Sequence, residues 1–211
     1  MTSLFIDTST NRLIIGLYKD KKEIALINEI ANNDMSSKVL PNIKNILEQN
    51  NMDIFSIDDI YVVNGPGSFT GLRIGVTIAK TIAWSLNIPI YTISELKVIA
   101  STSTKKYIVP LIDARRGYVY AALYSKNLKN LINDKYVKYD DFINELKTSY
   151  KFNEIEFVSY DEIDNAIKPS INIEKVLEHS HLKNINPHMV NPNYLKLTEA
   201  EEKLNDKKDK K

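Results

Sequence analysis

A glycine-rich segment, residues 64–73 with the sequence NGPGSFTGLR, contains the side chains best suited to holding an anion. It follows an apolar run and precedes a helical pattern, so the N–H groups that open the helix could bind a phosphate. We identify Gly65, Gly67, Ser68 and Arg73 as candidates for nucleotide or anion binding. The alternative is a tight turn that needs glycine for packing, and the segment lacks the Gly-Lys-Ser/Thr of a Walker A loop.

Two aspartates, Asp7 and Asp113, each end an apolar run and precede a polar turn. Carboxylates are hard oxygen ligands, so two such turns facing each other across a cleft could hold the Mg²⁺ of a nucleotide, with Arg115 beside its phosphates. In the simpler interpretation, both aspartates accept hydrogen bonds from N–H groups of their own turns. The sequence favours this simpler interpretation, because no strong phosphate signature accompanies the pair.

Catalytic chemistry of other kinds has little support in the sequence. There is no cysteine, and His179 and His181 lie two residues apart in a polar segment without a neighbouring carboxylate cluster. A His-Glu-x-x-His motif and a Gly-x-Ser-x-Gly elbow are also absent. We therefore predict no catalytic residue and no metal ligand, and the missing histidine pair argues against a metallopeptidase.

Two amphipathic helices are predicted in the first half of the chain. The first follows Ser36, a predicted N-cap, and its apolar residues at helical spacing are Val39, Leu40, Ile43, Ile46 and Leu47. The second runs from Thr70 to Leu86, and its apolar side combines a stripe of small residues spaced by four with larger neighbours: Gly71, Gly75, Ala79 and Ala83, beside Leu72, Ile78 and Ile82. Small residues let another element approach closely. The pattern leaves open whether the stripe packs on the chain's own sheet or against a helix of another chain.

The chain repeats a hairpin pattern. Residues 4–18 (LFIDTSTNRLIIGLY) and 110–124 (PLIDARRGYVYAALY) align at an offset of 106 and each predict strand, turn and strand. Matching hairpins that open two halves indicate an α/β protein of two duplicated lobes, each with a mixed sheet and packed helices. We place the N-terminal lobe at residues 1–104, a smaller C-terminal lobe at 105–198 and a charged, disordered tail at 199–211.

Composition narrows the classes of function. With 43% apolar and 26% charged residues, and without a signal peptide or a membrane-spanning apolar stretch, we expect a cytoplasmic protein that does not contact membranes. A net charge of +1 argues against tight nucleic-acid binding by the chain alone. Only four of the 28 basic residues are arginine, and all lie in turns or at a helix start: Arg12, Arg73, Arg115 and Arg116. Because lysine cannot supply arginine's planar fork of donors, we expect these positions to need that fork.

Four segments of the sequence resemble the TsaB family, also called YeaZ. They are LFIDTST at 4–10, VVNGPGSFTGLRIGVTIAK at 62–80, PLIDARRGYVYAALY at 110–124 and PNYLK at 192–196. The resemblance implies an actin/Hsp70/sugar-kinase-like fold and a role in making threonylcarbamoyladenosine next to the tRNA anticodon. It implies a non-catalytic subunit that pairs with a TsaD-type catalytic subunit, is joined by a TsaE-type ATPase, and meets tRNA only through that complex.

In this family, pairing uses the helices of the first lobe, so the resemblance implies that the apolar residues of both predicted helices form the partner interface. Three positions depart from the family pattern: Met35-Ser36 stands where histidine is common, Ser159-Tyr160-Asp161 where a Gly-x-Gly is usual, and Lys196 where arginine is usual. The second departure removes glycine from where a nucleotide would lie. We therefore predict no firm cofactor, with ATP or ADP at the subunit interface as an alternative.

Two further readings of the sequence stay open beside the pairing subunit. One is an ATP-dependent phosphotransferase that uses Asp7, Asp113 and the glycine-rich segment. The other is a homodimer in which the small-residue stripe pairs with itself.

Overall fold

The computed structural model describes residues 1–31, 34–180 and 183–196. Within these ranges the chain forms two five-stranded mixed sheets that share an apolar core, with helices packed on their faces. The predicted tail at 199–211 and the histidine at position 181 lie outside the described residues.

The first sheet opens with an antiparallel meander and continues with two parallel strands. The meander consists of β1 (Thr2–Asp7), β2 (Arg12–Lys19) and β3 (Lys22–Ile30). Helix α1 (Met35–Gln49) leads to β4 (Asp59–Gly65), and α2 (Phe69–Leu86) leads to β5 (Ile90–Ser94) and the short α3 (Glu95–Ala100). The spatial order is β3-β2-β1-β4-β5, with β4 parallel to both β1 and β5.

The second sheet repeats this plan. Its meander consists of β6 (Tyr107–Asp113), β7 (Tyr118–Ser125) and β8 (Asn130–Lys138). Helix α4 (Tyr139–Ser149) then leads to the parallel strands β9 (Ile155–Val158) and β10 (Ala166–Ile167), and α5 (Ile173–Glu178) follows. The order β8-β7-β6-β9-β10 matches that of the first sheet, which confirms the predicted duplicated α/β fold.

Strict alternation along the strands divides the core into three layers, because successive side chains of a strand point to opposite faces. On β1, Leu4 and Ile6 pack beneath α1 and α2, whereas Phe5 faces the core between the sheets. On β6, Ile108 enters that same middle core, whereas Val109 packs with α4 on the far side. The middle layer contains residues from both sheets, so the two lobes bury their inner faces against each other.

Two details differ from the sequence-based expectations. Helix α1 begins at Met35 with Asp34 at the N-cap position, so Ser36 lies inside the first turn and is not the cap. Residues 183–196, predicted to belong to the C-terminal lobe, return to the N-terminal lobe, where Ile185 forms an isolated antiparallel bridge with Ile90. The predicted boundary near residue 104 otherwise stays a prediction.

Candidate functional site

The glycine-rich segment packs against the turn of the first hairpin. The backbone N–H of Ser68 donates to the carbonyl oxygen of Ser9 at 2.6 Å, and the Thr8 hydroxyl donates to the carbonyl oxygen of Gly71 at 2.7 Å. A Cβ atom added to Gly71 would overlap the Thr8 carbonyl oxygen, and one added to Gly75 would overlap the Thr8 hydroxyl. These two glycines therefore let the hairpin turn approach α2 at backbone distance.

The same segment is covered from the other side by residues near the end of the described chain. The N–H of Asn193 donates to the carbonyl oxygen of Asn64 at 2.6 Å, and the Asn64 side chain donates to the carbonyl oxygen of Asn191 at 3.1 Å. Gly65 has a φ of +139°, and a Cβ atom there would overlap the Asn193 carbonyl. The Lys80 ammonium on α2 donates to the carbonyl oxygen of Val190 at 3.0 Å, which fixes this segment along the helix.

A cleft of about 880 Å³ opens between the hairpin turns of the two lobes. Of the predicted anion-binding set, Gly67, Ser68, Asp113 and Arg115 line this cleft, whereas Gly65, Arg73 and Asp7 do not. The Ser68 hydroxyl caps α2 by accepting from the Gly71 N–H at 3.3 Å. The start of α2 therefore faces the cleft with one of its free N–H groups already used. Nucleotide binding in this cleft stays a prediction.

Asp113 serves its own turn, as the simpler interpretation of the sequence expected. Its carboxylate accepts from the Arg115 N–H at 2.9 Å, and its own N–H donates to the Asp161 carboxylate at 2.7 Å. Asp7 likewise accepts from the Ser9 N–H at 2.8 Å. Both aspartates therefore close their turns through hydrogen bonds to N–H groups.

Asp7 has a buried neighbour that the sequence did not reveal, the carboxyl group of Glu95 at the start of α3. Burial raises the pKa of Asp7, and burial together with the neighbouring Asp7 carboxylate raises the pKa of Glu95 further. Within the described residues, Oδ2 of Asp7 and both oxygens of Glu95 have no hydrogen-bond donor. Burial opposes the simultaneous charging of these two neighbouring carboxyl groups and therefore favours a proton shared by the pair.

Tyr160 lies close to this carboxyl pair at the edge of the cleft. Burial, followed by the charges of Glu95 and Asp7, raises the pKa of Tyr160, and the Arg12 guanidinium lies 5.4 Å from the centre of its ring. Asp7 is thus enclosed by side chains from both lobes and has no exposed surface. A carboxyl group without exposed surface is a poor ligand for a metal in the cleft.

The predicted small-residue stripe on α2 faces this chain's own core. Gly71 and Gly75 contact Thr8, and Ala79 and Ala83 pack against the first sheet with no exposed surface. The expectation of an open stripe for a foreign helix is therefore corrected, because the sheet and the hairpin turn already occupy it. Other residues of the predicted interface are equally buried: Val39, Ile43, Ile46, Leu47 and Leu72.

A different part of the two helices is open to solvent. Leu40 of α1 is 56% exposed, and Ile78 and Ile82 of α2 are partly buried at the margin of the core. Ile74, one turn before Ile78, is also partly buried and lines the cleft together with Met35 of α1, which brings the two helices side by side there. The exposed residues of α2 include short polar side chains, one arginine and two large aromatic residues: Thr70, Thr77, Thr81, Arg73, Phe69 and Trp84.

No group of three or more His, Asp or Glu side chains is close enough to hold a metal ion in the part of the chain that the structure describes. None of the described helices is long and apolar enough to cross a membrane.

The duplicated sheets and the cleft between their hairpin turns define a protein of the actin/Hsp70/sugar-kinase-like class. Two solved structures share the fold. YeaZ from Pseudomonas aeruginosa matches with a TM-score of 0.73 and 18% identity, covering 92% of this chain and 99% of that chain. An uncharacterized protein with similarity to peptidase YEAZ from the same organism matches with a TM-score of 0.76, 18% identity and the same coverages.

Sequence comparison extends the match from fold to family. A family model described as "TsaD: tRNA N6-adenosine threonylcarbamoyltransferase" matches residues 26–176. The protein of Bacillus subtilis (strain 168) named "tRNA threonylcarbamoyladenosine biosynthesis protein TsaB" is 40% identical over 152 residues, which is 70% of this chain and 66% of that protein. The protein of the same name from Escherichia coli (strain K12) is 32% identical over 131 residues, or 60% of this chain and 56% of that protein. The chain belongs to the TsaB (YeaZ) family, and the aligned region spans less than two thirds of these relatives.

Proposed function

We propose that this chain is a non-catalytic subunit in tRNA threonylcarbamoyladenosine biosynthesis that pairs with a TsaD-type catalytic subunit. Family membership carries the proposal, because relatives with the printed name "tRNA threonylcarbamoyladenosine biosynthesis protein TsaB" align with 60–70% of this chain at 32–40% identity. The match to a TsaD family model adds support, since two chains of one fold can associate through equivalent faces. A TsaE-type ATPase as third member and contact with tRNA through the complex belong to the same proposal.

The exposed side of α1 and α2 is the face best suited to the partner. Leu40 of α1 is a large apolar side chain exposed to solvent, and Ile78 of α2 is partly buried at the margin of the core. The exposed Thr77 and Thr81 are short, so the backbone of another helix can approach α2 closely there. The buried Gly71–Ala83 stripe acts indirectly, because it holds α2 against the sheet and so determines which residues face outward.

The state of Asp7 supports a subunit without its own chemistry. A phosphotransferase of this fold class would need an exposed, ionised carboxylate in the cleft to hold Mg²⁺. Here the Asp7 carboxyl group is buried beside Glu95 and does not line the cleft, so only Asp113 of the two turn aspartates faces it. The described residues that line the cleft include no histidine to act as a general base. Two alternatives remain for experiment to test. One is an ATP-dependent phosphotransferase, and the other is a homodimer that does not pair with a TsaD-type subunit.

A reconstituted transfer assay tests the proposal. The TsaD-type and TsaE-type proteins of the same organism are mixed with tRNA and a threonylcarbamoyl donor, with and without this chain. We expect modified tRNA only when all components are present, and none from this chain alone. Asp113→Asn in this chain should leave the rate unchanged, because a non-catalytic subunit needs no ionised carboxylate there. Phosphate release from ATP by the isolated chain, abolished by Asp113→Asn, would instead support the phosphotransferase.

A further inference from the structure

Aromatic side chains from three separate parts of the chain meet at the mouth of the cleft. On the second sheet, the rings of Tyr118 and Tyr136 stack at 4.7 Å between centroids, and Tyr120 lies 5.7 Å from Tyr136. On the first lobe, Phe69 at the start of α2 stacks at 4.5 Å on Tyr194 of the returning segment. Tyr120 and Tyr194 line the same small cavity, so the two stacks are neighbours.

Cations accompany these rings. The Lys196 ammonium lies 5.5 Å from the centre of the Tyr136 ring, and the Lys138 ammonium lies 6.0 Å from that of Tyr118. The Arg73 guanidinium lies over Phe69 at 4.0 Å and donates to the Tyr194 hydroxyl at 3.0 Å. We call Tyr118, Tyr120, Tyr136, Tyr194, Lys138 and Lys196 the tyrosine surface.

The chain's four arginines border the same region, although lysine is the usual cation in this sequence. Arg12 lies over Tyr160 at the cleft edge, Arg73 lies over Phe69, and Arg115 lines the cleft itself. Arg116 follows in the same turn, where it is exposed to solvent and has a left-handed backbone conformation with a φ of +56°. Two carboxylates, Asp113 and Asp161, also face the cleft, and both accept hydrogen bonds from backbone N–H groups.

A cluster of partly exposed rings with cations beside it suits a chain of bases joined by phosphates. Each base stacks on a ring regardless of its identity, and each cation neutralises a phosphate. A duplex would present only its backbone to such a surface, because its bases are already stacked on one another. We propose that the tyrosine surface binds unpaired nucleotides of an RNA loop, which, resting on the proposed function, is the loop that the complex modifies.

The net charge of +1 limits what the chain can do by itself. With so few excess cations, the tyrosine surface adds to binding by a larger assembly and does not hold RNA tightly alone. Its contribution is therefore measured in the complete complex of this chain with the TsaD-type and TsaE-type proteins.

The probe is a labelled anticodon stem–loop RNA, compared with a hairpin of the same stem closed by a compact loop with few unpaired bases. Tyr118→Ala/Tyr136→Ala should weaken binding of the stem–loop about tenfold to a hundredfold, since loss of one stacked base costs about 1–3 kcal/mol. Binding of the compact hairpin should not change. Lys138→Ala should lower the slope of log affinity against log salt by about 0.7, the value for one phosphate of a single strand.

The chain offers a matched control at the opposite end of the strands of the second sheet. There Tyr150 lies edge-on to Tyr107 at 5.1 Å, and the Lys106 ammonium lies 5.0 Å from the Tyr107 ring. Tyr150→Ala and Lys106→Ala remove an equivalent ring and cation and should not affect RNA binding. Tyr136→Leu keeps apolar volume but has no ring. If its unfolding temperature equals that of the wild type, weaker RNA binding by this variant reports lost stacking and not lost stability.

The proposal is overturned if the wild-type complex and the complex with Tyr118→Ala/Tyr136→Ala bind the stem–loop with equal affinity. It is also overturned if ATP alone displaces the RNA with an affinity equal to that of the stem–loop. If the wild-type chain fails to join a TsaD-type protein, the proposed function fails separately. The same titration on the chain alone then decides the surface. Weakening by the tyrosine substitutions supports it, and absent or unchanged binding overturns it.

Discussion

The contact between Thr8 and α2 gives the sharpest test of how the first lobe is built. A Cβ at Gly71 would overlap a main-chain carbonyl oxygen of Thr8, whose carbonyl carbon lies 3.2 Å from the Cβ position. A Cβ at Gly75 would overlap only the Thr8 hydroxyl, with the Thr8 Cβ at an ordinary 3.5 Å. Gly71→Ala and Gly75→Ala therefore clash with different atoms of one residue, and only the second clash can be removed by substitution.

The magnitude follows from two opposing effects. Overpacking costs up to about 3 kcal/mol, and replacing glycine by alanine inside a helix returns about 1 kcal/mol. Gly71→Ala should therefore lower the free energy of unfolding by about 2 kcal/mol, or about 4–8 °C in Tm for a chain of this size. Gly75→Ala should cost about as much, because moving the Thr8 hydroxyl also breaks its buried hydrogen bond to Gly71.

A double-mutant cycle with Thr8→Ala separates the two sites. In that background the hydroxyl is gone, so Gly75→Ala should become neutral or stabilising by up to about 1 kcal/mol. Gly71→Ala should stay about 2 kcal/mol destabilising, because the Thr8 carbonyl remains. Guanidinium and thermal unfolding of the three single and two double variants measure these differences. If Gly71→Ala left stability unchanged but abolished partner binding, the stripe would belong to an interface and the packing described above would be wrong.

Two further predictions concern the buried carboxyl pair and the returning segment. The pKa values of Asp7 and Glu95 are raised in the folded chain, so the stability they contribute is present below about pH 4 and is lost as pH rises through the folded values. Glu95→Gln, which keeps a hydrogen-bond donor without a titrating proton, should therefore raise the Tm relative to wild type increasingly from pH 4 to pH 8; a constant difference across that range would rule out the shared proton. Gly65→Ala should cost about 1–3 kcal/mol because of its φ of +139° and the Asn193 carbonyl, and faster hydrogen exchange at the Asn193 amide should report release of the segment, whereas unchanged exchange would contradict this contact.

The strands and the duplication could be read from the sequence because they depend on local pattern. Leu4, Phe5 and Ile6 alternate between two apolar layers, and both meanders carry this pattern at a fixed offset. The aspartates at the two hairpin turns were likewise predictable, since Asp closes such turns wherever it occurs.

The sequence could not decide what covers the small-residue stripe. Residues spaced by four accept a sheet, a turn or a foreign helix equally well, and only the path of the first hairpin places Thr8 against Gly71 and Gly75. The position of the N-cap was missed because Asp34 and Ser36 are both residue types that cap helices well, and the local sequence does not choose between them.

The carboxyl pair and the tyrosine surface depend on contacts between distant parts of the chain. Glu95 directly follows Ser94, the N-cap of α3, and in the sequence it looks like any acidic residue in the first turn of a helix. Only the approach of α3 to the first hairpin brings it beside Asp7. Tyr136 and Lys196 are sixty residues apart in sequence, so no local pattern could indicate that they meet.

Binding between this chain and the TsaD-type protein of its organism tests the central claim most directly. Titration calorimetry with wild type should give a one-to-one complex, and Leu40→Asp should weaken it at least about thirtyfold, because a charge buried at the centre of an interface costs at least about 2 kcal/mol. Leu131→Asp, an exposed apolar position on β8, is the matched control and should bind as wild type does. Full affinity in Leu40→Asp, or a homodimer that does not exchange for the partner, would contradict the claim.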